Sequence, residues 1–250
     1  MATIDFKTVP AGVNVSEDRA QQLSDRATET ATAFSRKIEK LQATFSEARD
    51  GYSREADNLV ASSATEDRAA ARQFAKKAAA NKISELRRNL IASSEAERAA
   101  MLKALKGYAD EAAAIHAICM TPAMLLGRVA LGDPKRTHFM EQLEGAGPVE
   151  METAARQAIM TGDLVLSSAI ATVVDRRPKD RRPFAVQAFA DRVIGPVWER
   201  VNTKLEGVQL SFKSALAADR EFVRGQADPL MNLSLALSQQ AISEAETGEA

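Results

Sequence analysis

The sequence has two histidines and one cysteine, and two of these three residues lie close together. His116 and the single cysteine, Cys119, are three residues apart, which puts both on one face of a helix. A closed zinc site needs about four such ligands, and the sequence has no second cysteine. A thiol in an apolar stretch is also poorly ionised and therefore a weak nucleophile. We interpret both residues as parts of a helical core.

The other histidine, His138, is followed by Glu141 and Glu144 at helical spacing. Carboxylate-bridged metal sites in helical bundles use Glu-x-x-His pairs from two helices, whereas this sequence has the reverse order and has it once. A solvated polar face of a helix is the better interpretation. There is also no Gly-x-Ser-x-Gly pattern and no phosphate-binding glycine loop. We therefore expect no catalytic residue, no metal and no cofactor, and predict that the protein is not an enzyme.

The strongest local signal is a basic loop, residues 175–183. Its segment from Asp175 to Arg182 holds five cations and two acids, and Pro178 and Pro183 stiffen it. Arginine forks pair well with phosphates and carboxylates. The candidate residues for binding an anion or an acidic partner are Arg176, Arg177, Lys179, Arg181 and Arg182. They could contact a DNA backbone or an acidic protein surface, or they could form a solvated loop paired with nearby acids.

The elements that position these residues are predicted to be helices throughout. The stretch from Ile115 to Val174 is the most apolar part of the chain, and its Thr121-Pro122, Asp133-Pro134 and Gly147-Pro148 pairs are typical of helix starts. The sequence predicts an all-α, elongated bundle of about eight or nine helices, in which long amphipathic helices flank a compact centre of short ones. Ser94 and Glu97 predict a capping box that starts a new helix, and Gly195-Pro196 predicts a kink or break.

Two long helices carry narrow apolar seams. Between Ala20 and Tyr52, and again between Val201 and Phe222, apolar residues recur at steps of three and four, interrupted by Asp219 near the end of the second seam. This is the spacing of coiled coils. Such seams can pack on each other within the chain, which is the default, or on other copies of the chain. We expect at least part of one seam, together with an N-terminal arm, to contact other copies. The candidate self-association residues are Ile4, Phe6, Phe34, Ile38, Leu41, Phe45, Val201, Leu205, Val208 and Phe212.

The sequence predicts five consecutive regions along the chain. They are an arm (1–15), a long-helix hairpin or bundle (16–114), a compact helical core with the basic loop (115–195), a second long-helix hairpin (196–242) and a disordered acidic tail (243–250). Charged residues make up 27% of the 250 residues and leave a net charge of −1, so no global field favours nucleic acid or an anionic membrane.

No segment resembles a signal peptide, and no uncharged run reaches the roughly 20 residues that span a bilayer. We expect a soluble protein, cytoplasmic or in a virion, without a transmembrane segment.

In this arrangement of long helices around a short-helix centre, the chain resembles the small all-helical virion proteins of tailed bacteriophages, of the head–tail or internal ejection type. The resemblance implies a non-enzymatic structural protein that acts in several copies beside other structural proteins. Two alternatives stay open. One is an amphipathic surface-binding protein similar to the phasins of storage granules, and the other is an adaptor that binds nucleic acid through the basic loop.

Overall fold

The computed structural model describes residues 17–64 and 67–247, and within them the protein is all-α, as predicted. These residues form eight α-helices and one 3-10 turn, and no strand occurs among them. The helices are α1 Glu17–Ser62, α2 Arg68–Ile118, α3 Pro122–Leu126, α4 Pro134–Glu144, α5 Pro148–Thr161, α6 Leu164–Arg176, α7 Val186–Arg224 and α8 Pro229–Thr247, with the 3-10 turn at Lys179–Arg181 between α6 and α7.

The short helices begin where local signals predict. The side chains of Thr121, Asp133 and Asp163 each accept a hydrogen bond from a backbone N–H in the first turn of α3, α4 and α6. Proline occupies the first position of α3, α4 and α5, where its missing N–H has no partner to lose. The predicted helix starts in this region are therefore confirmed.

The predicted helix start at Ser94 is wrong, because α2 runs through it without interruption. The Ser94 hydroxyl donates a hydrogen bond to the Leu90 carbonyl at 2.6 Å and accepts one from Nε of Arg98 at 3.0 Å. Ser94 and Arg98 are both buried. A capping serine would have to turn toward the backbone N–H groups that follow it, whereas this serine is engaged by the preceding turn and by an arginine on the next one.

A break at Gly195-Pro196 is also absent, since Pro196 lies inside the continuous α7. Gly195 and Ile194 are buried on the packed side of α7 whereas Pro196 is exposed. The packed side of α7 thus stays covered across Pro196, although an interior proline removes one helical hydrogen bond. Near the C-terminus, α8 extends to Thr247. Residues 243–247, which the sequence analysis assigned to a disordered tail, are therefore helical. The predicted arm and residues 248–250 lie outside the described residues.

The described chain divides into two compact units. Unit 1 contains residues 17–25, 108–209 and 242–247, and unit 2 contains residues 26–64, 67–107 and 210–241. Both units take residues from α1, α2 and α7, whereas the sequence suggested regions that follow one another along the chain.

Unit 1 is built around α6, which contacts α3, α4 and α5. Seven of the eight residues of α6 from Ser167 to Val174 are buried. This part of the helix is therefore covered on almost every side. The indole N–H of Trp198 in α7 donates a hydrogen bond to the Cys119 carbonyl at 2.7 Å. It thereby joins α7 to the segment that follows α2.

Unit 2 has a thinner core, in which Phe34, Ile38, Leu105 and Phe222 are the large buried apolar residues. Two arginines of α2 hold α7 beside this core. Arg87 donates to the carbonyls of Phe222 and Val223 at the end of α7, and the guanidinium of Arg98 lies 5.2 Å from the ring centroid of Phe222.

Candidate functional site

Two of the five predicted anion-binding cations, Arg177 and Arg182, form hydrogen bonds or ion pairs within unit 1. Nη2 of Arg177 donates to the carbonyls of Leu143 and Ala146, at 3.2 and 2.8 Å, and so satisfies the end of α4. Nε of Arg182 donates to the Arg177 carbonyl at 3.0 Å, and its Nη2 forms an ion pair with Asp175 at 3.0 Å. Arg177 and Arg182 therefore close the loop upon itself and upon α4.

The other three cations, Arg176, Lys179 and Arg181, have exposed side chains. Within the described residues none of the three forms a hydrogen bond or an ion pair. They are available to an anion, but they do not all belong to one site. Arg176 lies at the end of α6 and lines a cleft, whereas Lys179 and Arg181 lie on the 3-10 turn and are not part of its lining.

The cleft has a volume of about 800 Å³ and lies wholly within unit 1. Its walls come from α3 with the turn that follows it, from the second half of α6, and from the start of α7. Its basic side is formed by Arg128, Arg176 and Arg182, with Asp175 as the one acid of the lining, and its apolar side includes Met124 and Leu131.

A buried arginine, Arg136 of α4, lies behind the wall of this cleft and is only 8% exposed. Its Nε donates to Oγ of Ser168 at 2.8 Å. Its Nη2 donates to the Gly127 carbonyl at 2.9 Å and to Oγ1 of Thr172 at 2.8 Å, and these two residues line the cleft. No carboxylate of the described residues forms an ion pair with Arg136. Burial, and then the nearby charge of Arg176, lower the pKa of its guanidinium.

Sequence reasoning missed both Arg128 and Arg136. The signal for Arg136 was its position, because Met140 and Leu143 follow it at four and seven residues and place it on the apolar face of a short helix. Arg128 was the one formal charge in the apolar run between Glu111 and Asp133. A lone charge inside an apolar segment is the feature that marks such residues.

The cysteine and the histidines occupy ordinary packing or surface positions. Cys119 is buried, its Sγ donates to the Ile115 carbonyl at 3.0 Å, and burial raises the pKa of its thiol. His138, Glu141 and Glu144 are exposed, and the His138 ring is hydrogen-bonded to Gln142 at 2.9 Å.

The predicted self-association seams are largely covered by the chain itself. Phe34, Ile38, Val201, Leu205 and Val208 are at most 4% exposed, so in this conformation they cannot form an interface with another copy. The reason is that helical spacing of apolar residues suits packing within a chain as well as between chains. Leu41, Phe45 and Phe212 are partly exposed, and Ile4 and Phe6 lie outside the described residues.

A different apolar face is open to solvent. On α8, in unit 2, the side chains of Leu230, Leu233 and Leu237 are 79%, 58% and 59% exposed. Steps of three and four residues put these leucines on one side of the helix. Periodicity in the sequence does not tell which side of a helix is covered, so it does not single out this face.

No helix among the described residues is long and apolar enough to cross a membrane. Comparison of the chain with models of protein families, with curated proteins and with solved structures finds no match.

Proposed function

We propose that this chain is a non-enzymatic structural protein that assembles with copies of itself in a larger complex, and that α8 forms the contact between copies. The observation that carries the proposal is the row of three exposed leucines on one side of α8. Contiguous apolar surface of this kind is typical of sites where another protein packs. The virion of a tailed bacteriophage, which the sequence resemblance suggests, is one assembly of this type and is part of the proposal.

The charges of α8 favour a second copy of the same helix as the occupant. Between Pro229 and Thr247 the helix has no lysine or arginine, and its acids, Glu244 and Glu246, are confined to its last turn. Two such helices that pack antiparallel bring their leucines together and keep their acidic ends apart. A two-fold contact of this kind uses the same surface on both copies.

The state of Cys119 supports a structural role over a catalytic one. A buried thiol with a raised pKa is a poor nucleophile, and here it serves as a small apolar side chain of the core. The lack of cations on α8 also distinguishes it from the basic amphipathic helices that bind membrane surfaces. Packing against another protein is therefore the better proposal for its leucines.

A second candidate function is binding of an anionic macromolecule, such as nucleic acid, through the basic loop. The side chains of Arg176, Lys179 and Arg181 favour it, because they are exposed and form no ion pair with any residue that the structure describes. Such binding would weaken steeply as salt concentration rises. Replacing Lys179 and Arg181 with glutamine would reduce the salt dependence, and an affinity for DNA that neither salt nor these changes affect would exclude this function.

The proposed contact is tested by Leu233→Ser combined with Leu237→Ser, with mass measured by light scattering across a concentration series. We expect the double variant to remain folded, because both leucines are exposed, and to lose the oligomers formed by the unchanged chain. Val149→Ser is the matched control, since Val149 is 77% exposed but lies on α5 in unit 1. An equal loss of oligomers in the control, or none in the double variant, would exclude α8 as the contact.

A further inference from the structure

We propose that the cleft of unit 1 binds an amphiphilic anion, a ligand with a phosphate or carboxylate group on an apolar body. In this site Arg128 and Arg176 pair with the oxyanion, Arg136 supplies a fixed positive charge behind the wall, and the apolar side of the cleft covers the rest of the ligand. The inference concerns unit 1 and does not depend on self-association through α8.

The charges around the cleft are unbalanced. Asp175 is the one acid of the lining, and it is already paired with Arg182. Arg128 donates through Nε to the Ile118 carbonyl at 3.0 Å, which fixes its side chain without neutralising it. Arg128, Arg136 and Arg176 therefore leave three positive charges near one cavity, and no carboxylate of the described residues pairs with them.

The buried Arg136 makes the site more than a group of surface cations. Its Nε and Nη2 are held by three neutral oxygens, those of Ser168, Gly127 and Thr172, and Ser168 is itself fixed through a hydrogen bond to the Val129 carbonyl at 2.9 Å. Burying a guanidinium without a counter-ion is unfavourable. An anion in the adjacent cleft would offset that cost, and the rigid network means that the positive charge is in place before the ligand arrives.

The apolar side of the cleft argues against inorganic phosphate as the complete ligand. Met124 and Leu131 line it and are 39% and 61% exposed, so these side chains would gain by being covered. The volume of about 800 Å³ lies in the range of small-molecule sites, roughly 300–1,000 Å³. A medium-length alkyl chain with one oxyanion fits both the charge and the surface.

The test is isothermal titration calorimetry of the full chain with four probes. They are octyl phosphate and octanoate below their micellar concentrations, inorganic phosphate, and octanol as the neutral control. We expect at least one of the two amphiphilic anions to bind more tightly than both inorganic phosphate and octanol, and the ratio between the two anions distinguishes a phosphate from a carboxylate ligand.

Three exposed arginines provide the variants and their control. Arg128→Gln and Arg176→Gln should each weaken the bound amphiphile about tenfold, the effect of losing roughly 1.4 kcal/mol, and higher salt should weaken it in the unchanged chain. Arg181→Gln removes an exposed cation that does not line the cleft and should change the affinity less than twofold. Absence of binding by both amphiphiles, octanol binding as tightly as they do, or an equal effect of all three variants would overturn the proposal.

Discussion

Among the described ion pairs of unit 2, the pair between Arg98 of α2 and Asp219 of α7 is the most buried, and its removal should cost more than that of the others. The two side chains are 5% and 18% exposed. Arg98 also donates to Oγ of Ser94 and to the Ile91 carbonyl, and it lies over the ring of Phe222. Removing one partner of a buried pair leaves the other charge without compensation, which costs about 3–5 kcal/mol. We expect Arg98→Met to destabilise unit 2 by that amount.

The matched control is an exposed ion pair between other residues of the same unit. Lys37 pairs with Glu97, and their side chains are 31% and 60% exposed. An exposed pair of this kind contributes about 0–1 kcal/mol, so Lys37→Met should have a small effect. A second comparison is Arg98→Met combined with Asp219→Leu. Because no buried charge is left unpaired, this double variant should recover most of the stability that Arg98→Met loses.

Urea denaturation measures these differences. With a slope of about 2–3 kcal/mol per molar urea, a loss of 3–5 kcal/mol lowers the midpoint by about 1–2.5 M. Circular dichroism follows the helices of both units, whereas the fluorescence of the only tryptophan, Trp198, reports unit 1. Recording both signals shows whether one transition describes the chain. A midpoint for Arg98→Met equal to that of Lys37→Met, or no recovery in the double variant, would refute the reasoning.

Four further predictions concern single residues. Gly225 has φ +76°, and a Cβ there would overlap the Arg87 guanidinium. Gly225→Ala should therefore destabilise the chain by at least about 1–2 kcal/mol, while Gly51→Ala in the open interior of α1 should stabilise it by about 0.5–1 kcal/mol, both by urea denaturation. Burial raises the pKa of the Cys119 thiol above 9.0, so maleimide at pH 8 should label it slowly in the native chain and rapidly in urea, and rapid native labelling would contradict its burial. A hydrogen bond from Arg200 lowers the pKa of Glu17 below 4.5. The contribution of ionised Glu17 to the free energy of unfolding is thus present above pH 4.5 and is lost as the pH falls below it, through the lowered pKa. In Glu17→Gln the free energy of unfolding should therefore decrease less steeply on acidification.

Local chemistry made a large part of this fold predictable. The prolines and capping side chains around α3, α4 and α5 act within one helical turn, so a short window of sequence contains all the information that sets these helix starts. The buried run of α6 was also recognisable, since a helix apolar on nearly all sides must be covered. The fold class followed from these signals together with the long helical periodicities.

The features that sequence could not predict depend on residues far apart in the chain. Ser94 and Glu97 have the spacing of a capping box, yet Ser94 is engaged by Arg98, which in turn pairs with Asp219, 121 residues away. In the same way, the residues that neighbour Arg136 in the sequence do not predict that Ser168 and Thr172 accept its hydrogen bonds. Local propensity loses to tertiary contacts at such positions.

Surface exposure was the second property hidden from the sequence. Phe34 and Leu233 both belong to amphipathic helical patterns, but the first is buried and the second is 58% exposed. Which of two apolar faces is covered within the chain depends on how the helices of one unit meet, and a one-dimensional pattern does not contain that information. The cations of the basic loop differ in exposure for a similar reason. Arg177 donates hydrogen bonds to carbonyls at the end of α4, whereas Arg181 has no such partner among the described residues.

The most direct test of the proposed assembly is the mass of the unmodified chain in solution, measured by light scattering from low to high concentration. We expect a mass larger than that of one chain, either as a fixed multiple or rising with concentration. A mass equal to a single chain at every concentration would contradict self-assembly driven by this chain alone.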